Sequence, residues 1–96
     1  MNVRIPLSTP IEAHGETLSE ITLREPTGRD LRLCGLPYRI AMETGEATID
    51  APAMAKMIAA LAAIPPSAVD RLSAEDWQAA MGAVLGFFGK AEAAAS

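Results

Sequence analysis

Ser73-Ala-Glu-Asp-Trp-Gln-Ala-Ala-Met-Gly-Ala-Val-Leu-Gly-Phe-Phe88 reads as one helix with two unlike faces. Ser73, followed three residues later by Asp76, is an approximate capping box, the signal that opens a helix. Trp77, Met81, Val84, Leu85 and Phe88 recur at steps of three and four, so they share a bulky face that must be covered. Gly82, Gly86 and Gly89 fall on a different stripe together with Ala79 and Glu75. Ala79, Gly82 and Gly86 thus offer a smooth surface for close packing. Each glycine lowers helix propensity by about 1 kcal/mol. That cost makes sense where another backbone must come near, either an element of the same chain or a second chain.

Upstream, Ser67 and Asp70 repeat the cap-plus-acid signal for one short turn, with Val69 and Leu72 apolar. Pro65-Pro66 stops the segment before it. That segment opens with Asp50 as cap, and Pro52 is tolerated in its first turn because the missing donor would have been unpaired anyway. Met54, Met57, Ile58 and Leu61 then form a helical face running to about Ala63. From Leu36 to Ile49 the pattern is weak, and Glu43-Thr-Gly-Glu46 predicts a mobile, turn-like connection. Thr27 and Asp30 make another capping box, predicting a helix from about Gly28 to Leu33 or Cys34 with Leu31 inward. Gly35 and Pro37 end it.

At the start of the chain, Asn2 to Leu7 alternates, with Val3, Ile5 and Leu7 on one side and Arg4 on the other. Pro6 marks one edge of this strand as solvent-facing. Pro10 to Glu16 holds a His-Gly pair and reads as a turn. Thr17 to Arg24 alternates again, with Ile21 and Leu23 inward. The two strands predict an antiparallel hairpin that needs a helix or third strand to lie upon. The architecture expected is α+β: an N-terminal antiparallel β-hairpin followed by a mostly helical small domain of about three to four helices. It is one domain over 1–96, with the hairpin at 1–24, the helical part at 27–89 and a frayed alanine-rich tail at 90–96.

The chain has 96 residues and a net charge of −4. Its 50% hydrophobic content includes many alanines, with one Trp, one Tyr and two Phe as aromatic anchors. A core this thin benefits from a partner that covers apolar surface. Residues 1–48 carry five Lys/Arg against seven Asp/Glu and residues 49–96 three against five, so each half holds −2. No basic half exists to grip a phosphate backbone, which disfavours nucleic acid. Cys34 is the only cysteine, which excludes an internal disulfide and suits a reducing cytosol. The N-terminus lacks a signal-peptide apolar run, and Met57 to Ile64 is too short to span a bilayer. A cytoplasmic, non-membrane protein is expected.

Candidate chemistry is sparse. His14 is the only histidine; a base needs a nucleophile and an orienting group, and a metal site needs more ligands than one imidazole in a turn, so it reads as an exposed loop residue. Ser67 and Ser73 read as caps rather than nucleophiles, and Glu75 with Asp76 as acids placed by the helix dipole. No catalytic, cofactor-binding or metal-binding residue is assigned. Arg24, Arg29, Arg32 and Arg39 could dock an acidic partner, although local pairing with Glu25 and Asp30 is the plainer reading. Cys34 reads as a small apolar residue. Met54, Met57 and Met81 are core residues first, yet the sharper idea is a groove of Met54, Met57, Ile58, Leu61 and Met81 that receives another protein's helix.

Two stretches, Glu16 to Arg32 (with Leu23-Arg-Glu-Pro26) and Met54 to Phe88 (with Asp76-Trp77), resemble the short tail assembly chaperones of contractile-tailed phages and prophages, the Mu-like group. The likeness runs over roughly residues 1–88 and is one of whole segments, without catalytic signatures. It implies a small, acidic, non-enzymatic protein in the cytoplasm of the bacterial host, absent from the mature virion. Such chaperones coat the tape-measure protein, keep it soluble and help recruit tail-tube subunits; a ribosomal frameshift often yields a longer form. The partners so implied are the tape-measure protein, the tail-tube protein and, as a further option, a second copy of this chain. The alternative is a small structural or self-assembling tail component using the Gly82–Gly86 stripe.

Overall fold

The computed structural model describes residues 2–95, with the side chains of 2–89. The N-terminal antiparallel hairpin is present and longer than expected: β1 spans Val3–Ala13 and β2 spans Glu16–Leu23. The strand runs straight through Pro10, so the turn shrinks to His14 and Gly15, both at positive φ (54° and 76°). Ala13 pairs with Glu16 around them, which is the two-residue geometry that matches strand twist. Between Pro6 and Ile11 the register shifts, because Pro6 opposes Glu20 whereas Ile11 opposes Leu18. This bulge accommodates both prolines and bends the hairpin. The bend has a visible result. Arg24 N–H donates to the Leu61 carbonyl at 3.2 Å, and His14 Nε2 lies 3.1 Å from the Ala63 carbonyl. The two ends of the hairpin therefore reach the same end of one helix.

That helix, α2 (Ala51–Ala62), follows α1 (Gly28–Cys34) and a second antiparallel hairpin, β3 (Tyr38–Ile40) with β4 (Ala47–Ile49). The weak pattern from Leu36 to Ile49 hides this second hairpin, and Glu43-Thr-Gly-Glu46 lies in its connecting loop. Its loop is closed by Ala41 N–H to the Glu46 carbonyl (2.9 Å) and Gly45 N–H to the Ala41 carbonyl (2.7 Å). Gly45 supplies the positive φ of 74° that the turn requires. Strands of three residues are too short to register as alternation.

The caps mostly follow the chain's polar signals. Thr27 N–H donates to Asp30 at 2.8 Å at the start of α1, and Asp50 accepts from Ala53 N–H at 3.2 Å at the start of α2. Ser67 is different. The short α3 spans Pro66–Val69 with Pro65 as its N-cap, so Ser67 sits inside the turn and does not cap it. The last helix, α4 (Ala74–Ala95), is capped by Ser73, whose Oγ accepts from Asp76 N–H at 3.1 Å. The frayed tail expected at 90–96 falls on side chains, and for Ser96 also backbone, outside the described residues.

The core lies where one face of the first hairpin meets α2, α3 and α4. Ile5, Ile11, Ile21 and Leu23 come from the hairpin, as their alternation requires. Val69 joins from α3, and Ala80 with Val84 from α4. The fully buried stripe of α4 is Asp76, Ala80 and Val84, spaced by four. Trp77, Met81, Leu85 and Phe88 flank it half-buried. The short side chains of Ala80 and Val84 let α4 approach β1, while the bulky residues fill the sides.

Candidate interaction surface

Met54, Met57, Ile58 and Leu61 are enclosed, with exposures of 0, 0, 0 and 2%. They cement α2 to the hairpin and to α4, and a docking role for them would require the core to open. Their helical spacing reports burial and carries no signal about what does the burying. Met81 alone among the five groove residues retains open surface. With Val69, Leu72 and Trp77 it lines a shallow trough of about 550 Å³ between α3 and α4. Ala79, Gly82 and Gly86 face outward, and a Cβ added at either glycine would meet nothing within 4 Å. Close approach by the hairpin is thereby eliminated as the reason for the stripe.

The large apolar residues that do face solvent lie together in ten consecutive positions. Leu33 is 57% exposed, Leu36 48%, Ile40 51% and Met42 99%. They run from the outer face of α1 across Gly35 to the tip of the second hairpin. Sequence reading passed over them because no periodicity links a seven-residue helix to three-residue strands. The signal available was their size in a segment otherwise rich in turn residues. Tyr38 holds this region to α4 through an edge-on contact with Phe88, with ring centroids 5.8 Å apart and planes at 68°.

Beside these residues, the segment between α1 and α2 forms an open trough of about 530 Å³ lined by Cys34, Leu36, Tyr38, Arg39, Pro52 and Lys56. Cys34 is half-buried and its thiol pKa is pushed up by burial, so it contributes a neutral, weakly polar floor. The arginines divide. Arg24 makes a two-pronged pair with Asp30, at 2.7 and 2.9 Å. That pairing, helped by the Thr27 N–H and opposed by burial, holds the Asp30 carboxyl well below the usual carboxylate range. Arg39 reaches Asp50 at 3.6 Å while staying 81% exposed at its side chain. Arg29, Arg32 and Lys56 form no ion pair among the described residues. Local pairing thus accounts for Arg24, and not for Arg29 or Arg32.

Asp76 has a role the helix-start pattern did not reveal. It is 3% exposed, and both its oxygens accept from Ser8 N–H (2.9 and 3.0 Å), with Thr9 N–H at 3.3 Å. These amides belong to the bulge of β1, where pairing with β2 is interrupted. The carboxylate replaces the missing strand partner, and the Ser8 and Thr9 amides hold its pKa below the ordinary value against the opposing effect of burial. Ser8 Oγ and Ser73 Oγ lie 3.2 Å apart alongside.

Among the described residues, no group of three or more His, Cys, Asp or Glu is placed to hold a metal ion, and no helix is long and apolar enough to cross a membrane. His14 is exposed at the hairpin tip, tied to Ala63. Ser73 Oγ is taken up by Asp76 N–H and by Ser8 Oγ, and Ser67 lies exposed on α3. The surface offers apolar contact and charge, the chemistry of protein binding. A family model described as phage tail assembly chaperone proteins, E, or 41 or 14, matches residues 4–89. No curated protein and no solved structure is matched.

Proposed function

Because the chain belongs to the phage tail assembly chaperone family, we propose that it binds the tape-measure protein, keeps it soluble and helps bring tail-tube subunits to it. A role in phage tail assembly comes with the family; the identity of the clients is the proposal. The observation that carries a client-binding role is the exposed run Leu33, Leu36, Ile40 and Met42 beside a core that is otherwise closed. A small domain exposing four large apolar side chains within ten residues has contact surface to lend. A long chain whose apolar stripes await partners aggregates. Covering those stripes with this surface removes them from water, and the net charge of −4 makes coated clients repel one another. A modest interface of this kind permits release.

On this reading the protein acts in the cytoplasm of the bacterial host and leaves before the particle is complete. Coexpression tests it. A tape-measure fragment that pellets alone is expected in the soluble fraction with this chain; an unchanged pellet refutes the client assignment. Mass spectrometry of purified particles is expected to find the chain absent. Its presence at stoichiometric level would favour a structural tail component, with the outward-facing Gly82 and Gly86 available for assembly.

A further inference from the structure

We propose that two copies of this chain pair through the outer edge of β3, antiparallel about a twofold axis at Ile40, so that Arg39 of each copy meets Glu43 of the other. The pairing lies beyond the client-binding reading and covers part of the exposed run while no client is present. β3 and β4 form a two-stranded sheet, and no other strand pairs with β3 among the described residues. Asp50 N–H donates to the Pro37 carbonyl at 3.0 Å and Ala41 N–H to the Glu46 carbonyl at 2.9 Å, which fixes the ladder. Arg39 and Thr48, midway between those pairs, therefore take the hydrogen-bonded position, and the N–H and carbonyl of Ile40 turn away from β4. No backbone hydrogen bond reaches them among the described residues. Beside this open edge Ile40 is 51% exposed and Met42 99%. Unpaired backbone groups next to exposed aliphatic side chains are a template for another strand.

Charge selects a second copy as the occupant. Arg39, with its side chain 81% exposed, lies on one side of Ile40, and the exposed Glu43 lies on the other, in the turn after Ala41. The contact of Arg39 with Asp50, at 3.6 Å, is too long for a hydrogen bond and can yield. In an antiparallel pair centred on Ile40, position 39 of one copy faces position 41 of the other, with the Glu43 turn immediately beyond it. The same meeting occurs on both sides of the axis, and Ile40 packs on Ile40. The complement of this edge is thus the edge itself: opposite charges flank an aliphatic centre, and a twofold axis brings each to the other. Centring on Arg39 instead sets two guanidiniums face to face, which disfavours that register. The edge of β4 exposes Ala47 and Thr48 and offers no comparable aliphatic group. Strands this short make a weak pair, which suits a cover that a client displaces.

Sedimentation velocity of the full chain alone, across a concentration series, is expected to show a monomer–dimer equilibrium. Arg39→Glu and Glu43→Arg, both at exposed positions, are each expected to keep the parent melting temperature within a few degrees and to weaken the dimer about tenfold. An equimolar mixture of the two is expected to regain the parent affinity, because each contact across the mixed pair again joins opposite charges. In a Cys34→Ser background, Ile40→Cys is expected to form an intermolecular disulfide on mild oxidation, since paired Cα atoms about 5.5 Å apart are within bridging range. Thr48→Cys in the same background is expected to stay reduced. A monomer at every concentration overturns the proposal. So does a dimer that both charge variants leave unchanged, that their mixture fails to restore, or that crosslinks from position 48 and not from position 40. None of these results touches the client-binding reading, which coexpression with the tape-measure fragment decides separately.

Discussion

Met57→Ala separates a buried methionine from a binding one. Met57 is fully enclosed in α2, which packs on both β2 and α4. Truncating a buried Met removes its transfer free energy and leaves a cavity, a loss of about 2–5 kcal/mol, with about 3 as a working value. Unfolding entropy is about 2.1 cal/mol/K per residue, so a domain of this length has about 0.2 kcal/mol/K and should melt about 15 °C lower. Whole-domain stability at about 0.05–0.15 kcal/mol per residue comes to about 5–14 kcal/mol, so the alanine variant still folds in the cold. Met57→Asp adds an unpaired buried charge, several kcal/mol more, and should not fold. Leu36→Ala is the control: a surface truncation is expected within about 0.5 kcal/mol, under about 3 °C. Far-UV circular dichroism during heating reads all three. A Met57→Ala melting point within about 3 °C of the parent, or a folded Met57→Asp that merely fails to bind client, would refute the reasoning and return Met57 to the surface.

Two further outcomes are expected. Asp30 and Asp76 titrate below the ordinary carboxylate value when folded, so the unfolded chain takes up their protons first as pH falls. Their stabilisation is present above about pH 4 and drains away below it, so the urea midpoint should hold steady down to about pH 5 and then fall; Asp76→Asn should flatten that fall, and an unaltered slope would contradict the Ser8 and Thr9 bonds. Gly82→Ala with Gly86→Ala meets no neighbour, so the gain in helix propensity, about 2 kcal/mol for the pair, should raise the melting point by about 10 °C. A lowered melting point, or an oligomer lost in sedimentation, would make the stripe an interface.

Local chemistry was readable where residues act on their own turn of chain. Thr27 with Asp30, Asp50 and Ser73 cap the helices they were expected to cap, and the hairpin's inward Ile and Leu residues point where alternation put them. What sequence hid was long-range. Asp76 has the look of a capping acid, but its carboxylate serves amides of β1 across the fold. Pro10 looked like the start of a turn because bulge geometry leaves no compositional trace. Ser67 looked like a cap, yet Pro65-Pro66 had already started the turn. The periodic face of Met54, Met57, Ile58 and Leu61 was visible, while its occupant was not. The hairpin and the other helices cover it, and the exposed apolar surface lies in a stretch with no period at all.

The bond from Ser8 to Asp76 spans 68 positions of chain. Until a ribosome has released residue 76, the amides at the middle of the first strand have no carboxylate to receive them. β1 is thus made well before the group that latches it, and any product truncated before that aspartate leaves the first hairpin ajar. Closure of this fold waits on the first turn of α4, which the middle of β1 must meet.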